Sequence, residues 1–363
     1  LLNWFFKASV AIAVTVAVMI ISDPLTALAK PAFPKNADLH ELKELPVTVT
    51  EQGGKLLLSD SPEMVPADGI MYQDTVNGNV RLFFHHVNAT TELKKVVVLL
   101  VNETATAADV IVSQHGLGGP GHDYMAVGKK VQLDYLDMTE VELLTVPAKG
   151  TALLEPKLND IIVMPDALVN GMYDFQTKVP LKVVVMMLPA DEDPAEFVKE
   201  AEILPADRER LRGSFWGYDR LVVPSQVYKS RQDGVLAITL ADHKRDTFVA
   251  GIDATDGSPT LNYGNYGVLY KVFLPTAFDQ KYAVYFNPRG GEYAGSLRVK
   301  YRRQQDAAVG LPADKLFFGS KTVEDTDYIG EYDGGQSLWL TFSPPGASNL
   351  PVKIILIPVG KEK

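Results

Sequence analysis

Imidazole is the scarcest reactive side chain in this 363-residue chain, which has six histidines and no cysteine. His115 and His122 bracket the run Gly116-Leu117-Gly118-Gly119-Pro120-Gly121, and Asp123 follows directly. Imidazole nitrogens and carboxylate oxygens are ligands for zinc and copper. A loop folded through the glycines would gather His115, His122 and Asp123, and with His85 or His86 from a nearby strand they would make a zinc or copper site. The spacing fits no tight metal motif, and ordinary hydrogen-bonded histidines are the plainer reading. His85 and His86 are neighbours in an expected strand and point to opposite faces, so these two cannot bind one ion together.

The same glycine run satisfies G-x-G-x-x-G after a strand and before a helix, where a phosphate would sit on the helix N-terminus. The rest of a dinucleotide unit is missing, because no parallel strand follows at once. The glycines are therefore expected to form a tight loop at a sheet end. Asp253-Ala254-Thr255-Asp256-Gly257-Ser258 is half of a calcium loop without its distal glutamate, and Glu324, Asp325 and Asp327 form a second acidic group. Both read first as turns or solvated faces. The expected cofactor is none, with calcium or zinc as alternatives.

Flat rings alternate with bare backbone in Asn262-Tyr263-Gly264-Asn265-Tyr266-Gly267-Val268-Leu269-Tyr270. Together with Trp216 and Tyr218, residues Tyr263, Tyr266 and Tyr270 are candidates for a sugar-stacking platform, unless the rings line a core. No G-x-S-x-G and no H-E-x-x-H occurs, and the lack of cysteine removes thiol catalysis and thiolate zinc sites. A carboxylate pair stays open as an enzymatic device. A net charge of −10 argues against nucleic acid, whose binding needs a basic footprint.

The elements that position these residues are mostly short strands. Turns are expected at Gly53-Gly54, Asn77-Gly78, 147–150, Asp233-Gly234 and 333–335, with Asn77-Gly78 the sharpest hairpin signal. In the strand after it, Val80, Leu82, Phe84 and His86 share one face; Arg81, Phe83, His85 and Val87 share the other. The run 94–101, KKVVVLLV, reads as a strand buried on both faces. One helix is expected over 123–136, with Asp123 as its N-cap. VPLKVVVMMLP at 179–189 and LPVKIILIP at 350–358 read as equivalent closing strands of two related units. The second would be a place for self-association if it lies at an edge.

These signals give a mainly β fold of two β-sandwich domains, Ig-like or jelly-roll-like, with one or two short helices. The expected boundaries are a signal peptide at 1–29, a linker at 30–45, the first sandwich at 46–190, a charged linker helix at 191–212 and the second sandwich at 213–363. Lys7, the apolar run 8–21, Asp23-Pro24 and Ala27-Leu28-Ala29 have the layout of a cleavable secretory segment. The expected location is therefore secreted or cell-surface, with membrane attachment only if that segment is retained.

GIMYQDTVNGNVRLFFHHVN, HGLGGPGHDYMAVGK and DATDGSPTLNYGNYGVLYKV together resemble an uncharacterised family of secreted bacterial proteins. Some members carry a similar region behind domains similar to the copper amine oxidase N-terminal domain, which act as surface modules. The resemblance runs from about Pro62 to Val359 and implies neither copper nor amine oxidation. The expected function is a non-catalytic envelope or extracellular protein, structural or binding glycan or cell wall. The alternative is an extracellular enzyme acting on glycans or cell wall, metal-assisted or not.

Overall fold

Glycine decides where this chain changes sheets. The computed structural model describes residues 41–303, 307–319 and 325–360. The expected signal peptide, most of the following arm and Glu324 lie outside the described residues. Strand Val47–Gln52 meets Lys55–Ser59 at Gly53-Gly54, but the two do not pair as a hairpin. The first pairs antiparallel with Asp219–Pro224, the second with Arg212–Trp216. The result is one two-stranded ribbon bent at Gly53-Gly54 on one strand and Gly217-Tyr218 on the other. The Gly217 N–H donates to the Gly54 carbonyl at 3.0 Å across the bend. Gly53 and Gly217 have φ of 88° and 78°, a region open to glycine at little cost, and a Cβ on Gly53 would overlap the Tyr218 ring. Through this corner the ribbon passes from an eleven-stranded sheet into a six-stranded one. A four-stranded sheet completes the mainly β, sandwich-like architecture among the described residues.

Two long strands form the spine of the large sheet. Gly69–Asn88 and Leu168–Pro189 pair antiparallel over nearly their whole length. The hairpin expected at Asn77-Gly78 is absent: the site is a bulge inside one continuous 20-residue strand. Gly78 has φ 77°, whereas Asn77 is not left-handed, and a type I′ turn needs both. Cross-strand pairing along the spine outweighs the local turn preference. The other expected hairpins also fail. Residues 147–150 join Glu142–Val146 and Thr151–Leu153, which pair with Ala108–Gly121 and Lys94–Val101 respectively. Gly234, at φ 68°, ends the short helix Ser230–Asp233. Residues 333–335 connect Asp327–Tyr332 in one sheet to Leu338–Phe342 in another.

Neither expected closing strand is at an edge. The 179–189 run is the second half of Leu168–Pro189, flanked by Gly69–Asn88 and Lys94–Val101. Val352–Val359 lies between Leu236–Leu240 and Lys281–Pro288. Edge pairing through 353–357 is thereby removed as a route to self-association.

Alternation along the spine sorts side chains into two cores. Leu57, Leu82, Phe84 and Tyr173 face one core with Val97, Leu99 and Val184. Leu56, Leu58, Phe83 and Met172 face the other, with Val222, Tyr270, Val284 and Ile354 from the C-terminal half. The middle of the large sheet is therefore covered on both sides. The Lys94–Val101 run is buried on both faces, as expected. The expected boundary at 191–212 does not divide the chain into separate sandwiches, because strands on either side of it share sheets and the described residues fall within one compact unit.

The helix expected at 123–136 is found at Tyr124–Asp137, with the Asp123 carboxylate accepting the Ala126 N–H at 3.0 Å. The glycines before it are not a sheet-end loop. They belong to strand Ala108–Gly121, which pairs with Leu168–Pro189. A Cβ on Gly116 would overlap the Val131 carbonyl oxygen, and one on Gly118 would press on Val127 and Val131. The glycine pattern lets the helix lie backbone-to-backbone on the strand that precedes it. The second expected helix is a single turn, Pro194–Phe197, capped by Asp193.

Candidate functional site

A cleft of about 560 Å³ opens where this helix, strand Ala108–Gly121 and the 3-10 turn Pro156–Asp160 meet. His115 and Leu117 come from the strand; Lys130, Leu133, Asp134 and Asp137 come from one helix face; Glu155 and Lys157 come from the turn. Ala308, from the C-terminal half, closes the far wall. Helical spacing of 130, 133, 134 and 137 puts those four on a common side.

The floor is a chain of three groups. The His115 ring stacks on Tyr173, its cross-strand neighbour, with centroids 5.3 Å apart and planes 6° from parallel. The Tyr173 hydroxyl donates to Glu155 Oε2 at 3.2 Å. Burial, then the Glu155 charge, pushes the Tyr173 hydroxyl far above its usual range, so it stays a donor. Glu155 is 7 % exposed, and its Oε1 accepts the Lys157 N–H. The rim is freer. Lys130 pairs with Asp134. Lys157 and Asp137 make no side-chain hydrogen bond or ion pair among the described residues, and His115 Nδ1 has no partner. The cleft thus offers one imidazole, two ammonium groups and three carboxylates, set between Leu117, Leu133 and Met138.

The proposed metal triad is not assembled. His115 lies opposite Tyr173, whereas Gly121, next to His122, lies opposite Leu168. Five residues of extended strand separate those partners, roughly 17 Å. His122 Nδ1 contacts the Asp166 carbonyl at 3.2 Å, and Asp123 caps the helix. No group of three His, Asp or Glu suited to a metal ion occurs among the described residues. In the calcium-like loop both carboxylates are already taken. Asp253 accepts from Arg212 Nε at 2.8 Å and from Thr255, and Asp256 accepts from Arg210 at 2.7 Å and from Ser258.

The five aromatic candidates do not form a strip. Tyr270 is fully buried, its hydroxyl donating to Asp246 at 2.6 Å. Tyr266 turns inward toward Phe83 and bonds the Ser348 carbonyl. Tyr218 stacks on the Arg81 guanidinium at 4.3 Å. Trp216 is 70 % exposed beneath Lys55, and Tyr263 is 54 % exposed against the edge of Phe248. Two rings, Trp216 at the end of a strand and Tyr263 in a turn, are left facing solvent.

Sequence reasoning passed over the buried arginines. Arg81 is 1 % exposed and bridges the halves: Asp174 takes its Nε and Nη2 at 2.6 and 2.7 Å, and Asp219 takes Nη1 at 3.0 Å. Burial pulls its pKa down, but the two carboxylates outweigh that and leave it raised. A lone arginine between Val80 and Leu82 in an apolar strand is the signal that marks it. Glu155 and Lys157 carry no comparable mark. A Ser–His pair also exists, with Ser59 Oγ 2.8 Å from His86 Nε2 and His86 Nδ1 2.9 Å from the Pro62 carbonyl. Both side chains are at 0 % exposure, so no substrate reaches them.

No protein-family model and no curated protein matches the chain. Among solved structures, a Paenibacillus xanthan lyase is similar over 90% of this chain and 27% of its own length, at 9% identity and a TM-score of 0.18. A Momordica charantia 7S globulin aligns over 79% of each chain at 12% identity and TM-score 0.13. A Lactobacillus farciminis oxalate decarboxylase aligns over 91% of this chain and 88% of its own at 8% identity and TM-score 0.14. Likeness this slight carries no functional argument. No helix among the described residues is long and apolar enough to cross a membrane.

Proposed function

We propose that this chain is a non-catalytic envelope or extracellular protein of bacterial type that binds a hydroxyl-rich ligand, of glycan or cell-wall kind, in the His115 cleft. One observation carries the reading: the rim groups Lys157 and Asp137 have no side-chain partner and stand at one opening above the His115 ring, whose buried Nδ1 is also unpartnered. Donors and acceptors interleaved with Leu117, Leu133 and Met138 suit a sugar, which presents hydroxyls at its edge and C–H groups on its faces. The secretory layout of 1–29 and the resemblance to secreted bacterial proteins supply the compartment in this proposal. The test is a glycan array and a cell-wall pull-down with the whole chain, repeated with H115A, D137N and K157A. Retention that survives EDTA and drops about tenfold in these variants supports it. Absence of retention on every glycan and wall preparation overturns it.

A second reading rests on the carboxylates Glu155, Asp134 and Asp137 gathered around one imidazole, a set able to supply a general acid and base. Release of reducing ends from a retained glycan, abolished in E155Q, would replace the binding role with hydrolysis.

A further inference from the structure

Three arginines among the described residues are buried, and in two of them every guanidinium nitrogen is hydrogen-bonded. Arg81 gives Nε and Nη2 to Asp174, and Nη1 to Asp219 and the Tyr218 and Gly267 carbonyls. Arg212 gives Nε to Asp253, Nη2 to Thr255, and Nη1 to the Leu204 and Met71 carbonyls. Arg220 is the exception. It is 1 % exposed, yet only Nη1 is hydrogen-bonded, to Asp246. Nη2 has a 3.6 Å ion pair with the half-exposed Glu51, and Nε has no partner. Buried donors are rarely left so, because an unmet donor keeps its full desolvation cost.

Arg220 lies in the wall of a cleft of about 380 Å³, with Val49, Thr50, Glu51, Arg245, Asp246 and Thr247 around it. The cleft sits on the ribbon strand Val47–Gln52, where Glu51 is the cross-strand partner of Arg220. Its other side is built to a fixed shape. Ala241 and His243 both hold left-handed backbone, φ 55° and 60°, which costs non-glycine residues energy. Asp242 Oδ1 clamps the turn by accepting the N–H groups of Lys244, Arg245 and Asp246. Asp246 Oδ2 is filled by the Tyr270 hydroxyl and the Ala241 N–H, and Oδ1 accepts Nη1, so Asp246 leaves Nε unmet. A strained, clamped turn thereby holds a second guanidinium, Arg245, half-exposed on the same cleft, where it has one 3.4 Å contact to Asp242.

We infer that this cleft is a binding site for an oxyanion group, carboxylate or phosphate, of a small ligand. The anion takes the Nε–Nη2 edge of Arg220, a buried edge whose Nε has no partner, with Arg245 as the second cation and the Thr50 and Thr247 hydroxyls as further donors. A guanidinium edge matches two oxygens of one such group, which a lysine cannot do. Glu51 is the built-in competitor: its carboxylate stands near Nη2 and leaves when the ligand enters. This site shares no lining residue with the His115 cleft and does not depend on the function proposed for it.

The test is titration calorimetry of the whole chain with glucuronate, inorganic phosphate and, as the neutral control, glucose. Saturable one-to-one binding of glucuronate, of phosphate or of both, without glucose binding, supports the site and tells which oxyanion it prefers. R245A, an exposed position that leaves the fold intact, weakens that binding about tenfold, and E51Q strengthens it. No heat from either anion at millimolar concentration overturns the inference. So does binding that neither R245A nor E51Q alters.

Discussion

Two adjacent buried histidines, His85 and His86, disfavour the fold in acid. Burial, then each other's proximity, pushes His85 down to about 3; burial, partly opposed by the Pro62 carbonyl, pushes His86 down to about 4. Unfolded, both titrate near 6.5. The unfolded chain therefore binds more protons between those limits, and the stability these neutral imidazoles contribute is complete above about pH 6.5 and lost as pH falls toward 4 and 3. Asp60 and Glu63, pushed up by burial and neighbouring carboxylates, act in the opposite sense over their own window. Urea midpoints measured from pH 7 to pH 4 should fall with acid, and fall less in H85Q and H86Q. Equal slopes in wild type and variants would refute the assignment. Arg81 is the other decisive residue. Arg81→Met strands Asp174 without its cation, leaves Asp219 with Lys271 alone, and should cost about 3–5 kcal/mol in equilibrium unfolding.

Among the elements, the helix Tyr124–Asp137 and its glycine-bearing strand matter most, because together they form most of the cleft. Gly116→Ala drives a methyl into the Val131 carbonyl, and the helix must shift away. Overpacking of this kind costs about 1–3 kcal/mol. The variant should also lose ligand retention, since His115 and Lys130 would no longer face each other across the cleft. Asp123→Ala removes only the cap and should cost about 1 kcal/mol with retention preserved. The helix, its cap, the Lys94–Val101 strand and the face alternation of Arg81, Phe83 and His85 were all legible from periodicity and cap chemistry. The turns were not. Asn77-Gly78 and Asp233-Gly234 have the right residues for hairpins, yet their flanking segments have better partners elsewhere in the sheets. Local preference amounts to about 1 kcal/mol, far less than a run of cross-strand pairs. The cleft escaped for a similar reason: Glu155 and Lys157 reach His115 only through tertiary packing, with no spacing rule linking 115, 134 and 155.

At the scale of the whole molecule, shared sheets override the two-unit pattern suggested by the paired closing strands. Cooperative unfolding should be single: tryptophan fluorescence and far-ultraviolet circular dichroism should give one coincident transition in urea. Fragments 41–205 and 206–363, expressed separately, should remain unfolded, because each lacks one side of the ribbon and half the cover of the large sheet. Two separated transitions, or a folded fragment, would restore the two-domain picture.

The bent ribbon also orders events in time. Val47–Gln52 and Lys55–Ser59 are made early, but their partners Asp219–Pro224 and Arg212–Trp216 lie on the order of 150 residues later. Until those residues have been synthesised, the first strands have apolar side chains such as Leu56, Leu57 and Leu58 and no complete sheet to bury them. The bent corner cannot close until residue 224 has been made, although Lys55–Ser59 also pairs with the nearby Gly69–Asn88, and closing so long a loop slows the search for the native pairing. For that interval the apolar side chains of the first strands lack half their final cover, the condition under which nascent chains aggregate most readily.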